Sequence, residues 1–121
     1  MKNEIFYPNS PDAKLTLPVP ASTVSGAPVL VGSIVGVTAT KEGQGGNVSG
    51  NASVWTEGVY DLFVTTTTAA SIGTPIYIIA ANSGNPATAL TPTASGNVLF
   101  GYAITAKGTS AATIRVKLAK V

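Results

Sequence analysis

The chain has 121 residues, 45% of them hydrophobic and only 10% charged, and it contains neither Cys nor His; an average soluble domain is about 25% charged. This composition excludes His-based acid–base catalysis, thiolate nucleophiles, disulfides and zinc sites built on imidazole or thiolate. A net charge of +2, from seven basic and five acidic residues, is a small imbalance without the clustered cations that phosphate backbones require.

The first thirteen residues differ in kind from the rest. Pro8, Asn9, Ser10 and Pro11 oppose regular structure, yet Ile5, Phe6 and Tyr7 form a bulky apolar cluster. Disordered tails are poor in aromatics, so the cluster either packs back on its own domain or binds a partner. Residues 1–13 are read as an extended N-terminal arm in contact with a partner surface or a neighbouring chain through Ile5, Phe6 and Tyr7, and residues 14–121 as one β domain. The opening MKNEIFYPNSPD has no apolar h-region of a secretion signal, so the sequons at Asn47 and Asn51 carry no weight. No uninterrupted apolar stretch is long enough for a membrane span.

From residue 14 onward, alternation is the recurrent pattern. Leu15, Leu17 and Val19 alternate with Lys14, Thr16 and Pro18, and the proline marks an edge or a strand end. Val29–Val31 and Ile34–Val37 are short runs apolar on both faces, bounded by Gly and Pro, as enclosed strands are. Ala52–Thr56 is a weaker segment, followed by alternation of Tyr60, Leu62 and Val64 around Asp61. Thr65–Ser71 is the one stretch suited to a short helical turn. Ile76–Ile79, Ala87–Thr91 and Val98–Ile104 are further strands, and Ile114, Val116 and Leu118 alternate with Thr113, Arg115 and Lys117 in the clearest half-buried strand of all. Gly- and Asn-rich turns separate them. The expectation is an all-β, single-domain barrel or sandwich of eight or nine strands. The 98–104 and 114–118 strands should be central, with Leu99, Tyr102, Ile104, Ile114, Val116 and Leu118 buried.

An internal echo accompanies this pattern. Gly26-Ala27-Pro28-Val29-Leu30-Val31 matches Gly73-Thr74-Pro75-Ile76-Tyr77-Ile78, and each is followed by a Gly-punctuated strand, at 32–37 and 96–102. Two related hairpins would close a compact barrel and remove exposed edges.

Candidate chemistry is sparse. Glu57 and Asp61 are four residues apart around Gly58, and read as solvent-facing strand and turn residues in preference to an acid–base pair. No Gly-x-Ser-x-Gly elbow occurs, and Gly43-Gln44-Gly45-Gly46-Asn47 lacks the Lys-Ser/Thr of a phosphate loop. Lys107, Arg115, Lys117 and Lys120 are the nearest approach to a basic patch, with Arg115 and Lys117 at solvent-facing strand positions. Trp55, Tyr60 and Tyr77 suit a sugar or base-stacking platform, though aromatics at strand spacing more often fill a core. No cofactor, metal, nucleic acid or membrane is expected. With charge so scarce, the surface must be built from Thr, Ser, Asn, Ala and Gly, and interface cores are likewise depleted in charge.

The run Ser25–Val37, SGAPVLVGSIVGV, resembles the opening signature of the capsid cement or head decoration proteins of tailed phages, some of which carry an old label as predicted RecA/RadA-type recombinases. Glu57–Leu62, Gly73–Tyr77, Asn97–Ala103 and Thr113–Leu118 resemble later motifs of that family in the same order, so that the similarity spans about residues 14–119. Members often carry an acidic residue where this chain has Ala27 and Thr74. The recombinase label finds no phosphate loop or basic groove to support it. The resemblance implies a structural, non-enzymatic virion protein, assembled in the bacterial host cytoplasm. It would bind the capsid exterior, stabilise contacts between major capsid protein subunits and form a homotrimer. The alternative from the residues themselves is a small β carbohydrate- or surface-binding module of a phage fibre.

Overall fold

The computed structural model describes residues 14–65, 69–106, 108 and 111–119. Nine strands follow one another: β1 (Lys14–Pro18), β2 (Pro28–Val31), β3 (Ile34–Thr38), β4 (Asn51–Trp55), β5 (Val59–Val64), β6 (Pro75–Ile78), β7 (Leu90–Thr91), β8 (Val98–Ala103) and β9 (Ala112–Leu118). A 3-10 turn, Ala80–Asn82, lies between β6 and β7. The fold is all-β. Strands β1 to β4 form an open sheet in the order β1-β4-β3-β2, and β5 to β9 a closed barrel in the order β5-β7-β6-β8-β9.

Local chemistry explains the joints. β2 and β3 form a hairpin in which Val31 pairs with Ile34, leaving Gly32 and Ser33 as a two-residue turn. Gly32 has a φ of 61°, the positive value that the first position of a type II′ turn requires. β7 keeps only two residues of the expected 87–91 strand, because Asn85 and Ala87 are taken up in a turn in which Asn85 Oδ1 accepts the Ala87 N–H at 3.0 Å. Those two residues close the barrel: Leu90 pairs antiparallel with Ile78 of β6 and parallel with Val64 of β5. The helical turn expected within 65–71 lies partly outside the described residues.

The core is one cluster that includes both sheets. It contains Leu62, Val64, Ile76, Ile78, Leu90, Phe100, Ile114, Val116 and Leu118 of the barrel together with Val35 and Val37 of β3. Phe100 is the largest fully buried side chain. In the open sheet Val29, Ala52 and Val54 are completely buried.

The echo in the sequence is an echo in the hydrogen bonding. In the open sheet Gly26 N–H donates to Thr38 O (2.7 Å) and Thr38 N–H to Ala27 O (3.0 Å); in the barrel Gly73 N–H donates to Ala103 O (2.7 Å) and Ala103 N–H to Thr74 O (2.9 Å). Pro28 and Val29 pair with Val37 and Gly36 as Pro75 and Ile76 pair with Tyr102 and Gly101. Val37 and Thr38 then pair with Trp55 and Val54 as Tyr102 and Ala103 do with Lys117 and Val116. Leu15 faces Val54 as Tyr60 faces Val116. The open sheet β1-β4-β3-β2 therefore repeats β5-β9-β8-β6 strand for strand. Gly36 and Gly101 hold matching places for a matching reason: a Cβ on Gly36 would collide with Val54 and the Trp55 carbonyl, and one on Gly101 with the Lys117 carbonyl.

The repeats differ in two places. β8 carries one extra residue: Ile76 pairs with Gly101, but Tyr77 pairs with Leu99, skipping Phe100. A bulge of this kind breaks the two-residue alternation, so that Phe100 and Gly101 are both buried while Leu99 and Tyr102 face out. This corrects the expected core. Ile114, Val116 and Leu118 are buried as expected, whereas Leu99, Tyr102 and Ile104 are 36%, 39% and 36% exposed.

The second difference is closure. No β7 follows the tight β2–β3 hairpin, and the loop after the 3-10 turn serves instead. Leu30 N–H donates to Ser83 Oγ (2.8 Å) and Gly84 N–H to Pro28 O (2.8 Å), covering the free edge of β2. A Cβ on Gly84 would lie 2.8 Å from Thr23 Oγ1 and 3.2 Å from Pro20 Cγ, so this loop is wedged between β2 and the segment after β1.

Candidate interaction surface

The bulge turns a group of large apolar side chains outward, as an exposed wall. On the outside of β6 and β8, Tyr77 faces Leu99 and Pro75 faces Tyr102 across the strands, while Ile76, Ile78, Phe100 and Ala103 fill the interior. Ile104 follows at the end of β8, and Ile72, 74% exposed, precedes β6 in the turn that Gly73 ties to Ala103. Lys117 borders the wall as the cross-strand partner of Tyr102. Farther along β9, the Arg115 guanidinium pairs with Asp61 of β5 at 3.4 Å, with both side chains about two-thirds exposed. A surface pair of this sort contributes about 0–1 kcal/mol. The wall thus offers large apolar side chains with little charge to desolvate.

The acidic residues among the described ones sit in loops and on β5. Glu42 accepts the Ser22 N–H on Oε1 (3.1 Å) and the Gly50 N–H on Oε2 (2.7 Å), joining two loops of the open sheet. These hydrogen bonds, that from Gly50 foremost, hold its carboxyl below the ordinary glutamate value. Asp61 projects from β5 toward Arg115, and Glu57 lies in the connection between β4 and β5, where its carbonyl accepts the Tyr60 hydroxyl at 2.6 Å. Burial of the Tyr60 ring, reinforced by the Glu57 charge, raises the phenol's pKa.

The other sequence candidates are dispersed. Tyr60 packs against the core cluster, Trp55 belongs to the open sheet and Tyr77 to the barrel, so the three aromatics do not form one platform. The glycine-rich loop at 43–47 directs amides to nearby backbone carbonyls: Gly43 N–H donates to Asn51 O, Gln44 N–H to Lys41 O and Asn47 N–H to Gln44 O. Among the described residues no three His, Cys, Asp or Glu side chains are grouped to hold a metal ion, and no helix is long and apolar enough to cross a membrane. Ile5, Phe6, Tyr7, Lys107 and Lys120 lie outside the described residues.

Sequence reasoning missed the wall because Val98–Ile104 is apolar throughout, so its two faces look alike. The echo held the missing signal. Aligning Gly101 with Gly36, and Leu99 with Val35, leaves Phe100 as an unmatched residue, which is the bulge.

These features define an all-β scaffold with an exposed apolar wall and no grouped catalytic or metal-binding side chains among the described residues. The family model for phage cement proteins matches residues 10–118, and the chain belongs to that family of structural, capsid-associated phage proteins. No curated protein and no solved structure gives a match.

Proposed function

We propose that the protein binds the outer surface of the phage capsid and reinforces the joints between major capsid protein subunits, as a homotrimer or as three grouped copies assembled in the host cytoplasm. The observation that carries this reading is the family match over residues 10–118; the charge-poor surface with its apolar wall supports it. A ligand that prefers the expanded shell stabilises it by mass action, and linked copies multiply weak contacts into durable ones. This mechanism needs no catalytic group.

Residues 1–13 act as an arm whose Ile5, Phe6 and Tyr7 anchor it to the capsid or a neighbouring chain. Deleting residues 2–10 is expected to leave the melting temperature nearly unchanged and to weaken attachment. A melted domain with intact binding would assign the cluster to the protein's own core. The reading as a whole is tested by co-sedimentation with expanded heads and with unexpanded precursors. Binding to expanded heads is expected, and a protein that pellets with neither would overturn it.

A further inference from the structure

β1 and β5 hold matching places in the two repeats, but β5 lies between β9 and β7 while β1, among the described residues, ends its sheet beside β4. The register that sets Leu15 against Val54 and Tyr60 against Val116 makes Pro18 and Pro20 the counterparts of Phe63 and Thr65. In the barrel Thr65 N–H donates to Leu90 O at 3.0 Å, fastening β7 to the edge of β5. Proline has no N–H, so the first repeat lacks that donor at the same place. The ladder shows which other groups of β1 face its outer edge. Val19 N–H donates to Gly50 O (2.9 Å), toward β4. Backbone groups alternate sides along a strand, so Leu15 and Leu17 also turn theirs to β4. The far strand agrees: Ser53 O accepts the Ala39 N–H (2.7 Å) on the β3 side, which leaves Ala52 and Val54 facing Leu17 and Leu15. Lys14, Thr16, Pro18 and Pro20 therefore turn their backbone groups outward.

We infer that Pro18 and Pro20 form a built-in stop that closes the β1 edge to strand addition, at the place where the barrel has a closing strand instead. Two of the four outward positions have no donor. The Pro20 carbonyl is already engaged by the Thr23 N–H (3.2 Å) and Oγ1 (2.6 Å) in the turn that follows. An approaching extended segment would meet backbone donors only at Lys14 and Thr16, with the exposed rings of Pro18 and Pro20 beyond them. Proline on an edge is one way in which sheets avoid templating further strands. The other edge of the open sheet, that of β2, is covered by Ser83 and Gly84, so the prolines guard the edge that no described loop covers. The same missing donor accounts for the path of that loop. Gly84 lies against Pro20, where an added Cβ would come within 3.2 Å of Pro20 Cγ, yet its amide bonds to Pro28 O of β2.

The test restores the donors in the full-length chain: Pro18→Val, Pro20→Thr and the two together, with Pro86→Ser, an exposed proline in the turn after Asn85, as the control. Circular dichroism and the melting transition first establish that each variant is folded. If the double variant does not fold, Pro18→Val alone decides, with a smaller shift in the same direction. Well below the melting transition, the double variant should lower the protein concentration that stays soluble on the order of tenfold against wild type and control, as two restored backbone hydrogen bonds per contact would give. The associated material should show the amide I band of intermolecular β-sheet. Hydrogen exchange locates the contact: the Thr16 amide, unprotected in the wild type, should gain protection on association, together with the amides at positions 18 and 20. Adding Thr16→Pro to the double variant removes another outward donor and should return solubility toward the wild type. Folded variants as soluble as the wild type, or association that leaves the Thr16 amide unprotected, would overturn the inference. Neither result bears on the capsid reading, which co-sedimentation with heads tests separately.

Discussion

The open sheet and the barrel are two versions of one arrangement, and their differences are small in sequence and large in effect. The barrel closes itself with the two residues of β7, which follow β6 in the chain and lie between β5 and β6 in the sheet, and an extra Phe100 turns large side chains outward. The open sheet has a two-residue hairpin at the same place, borrows Ser83 and Gly84 for its edge, and buries its outer face. A duplicated unit thus yields one half specialised for internal packing and one for display.

Substitutions at corresponding positions sharpen this comparison. The largest effect is expected at the residue with no counterpart. Phe100→Ala should cost about 3–5 kcal/mol by the cavity it leaves in the barrel, as measured by chemical denaturation. If the loss is below about 1 kcal/mol, the bulge does not seat the ring in the core. Val54→Ala and Val116→Ala occupy matching buried positions, and each should cost about 1–3 kcal/mol. Because the core cluster includes both halves, each variant should lower one shared unfolding transition. Two separated transitions, each moved by only one substitution, would break the view of residues 14–121 as one domain.

Thr38 and Ala103 also correspond, but only Thr38 has a hydroxyl. It donates to Val24 O at 2.7 Å while accepting the Ala27 N–H at 2.9 Å, nearly inaccessible to water. Thr38→Val should therefore cost about 1–3 kcal/mol through the amide and carbonyl left without it, whereas Ala103 has no such bond to lose. An unchanged midpoint would mean that these backbone groups find other partners. The smallest effect belongs to Glu42. Its folded pKa lies below the ordinary value, so its contribution is present above about pH 4.5 and is lost as the pH falls through the folded value. Glu42→Gln should flatten that acid-side decline, by lowering stability slightly at neutral pH and leaving it almost unaltered below the folded value. If wild type and variant decline in parallel on acidification, the carboxylate is not the group responsible.

Much of this architecture was legible in the residues. Alternation at 60–64 and 114–118, and Gly-Pro punctuation before 29 and 76, located strands because their cause is local: side chains must alternate across a pleat, and turns need residues with unusual φ. Leu99 and Tyr102 were misassigned for an equally definite reason. A run apolar on both faces leaves register to decide which face is inside, and register here depends on one skipped residue opposite β6. The brevity of β7 was likewise hidden, since pairing on both sides of Leu90 is a tertiary event. The family was readable from motif order along the chain, while the display wall emerged only when the two repeats were laid over one another.

The Ser83–Gly84 clamp has a consequence for the order in which the protein is made. On a ribosome the four strands of the open sheet are complete once Trp55 has emerged, yet the groups that cover the edge of β2 come from residues 83 and 84. Through that interval a nascent chain carries an uncovered strand edge, the feature by which growing chains pair with the wrong neighbour. The rate at which the loop arrives and seats sets how long each new chain is open to its siblings. Slowing that step by lengthening the 80–85 loop should appear as lost soluble yield before it appears as lost stability.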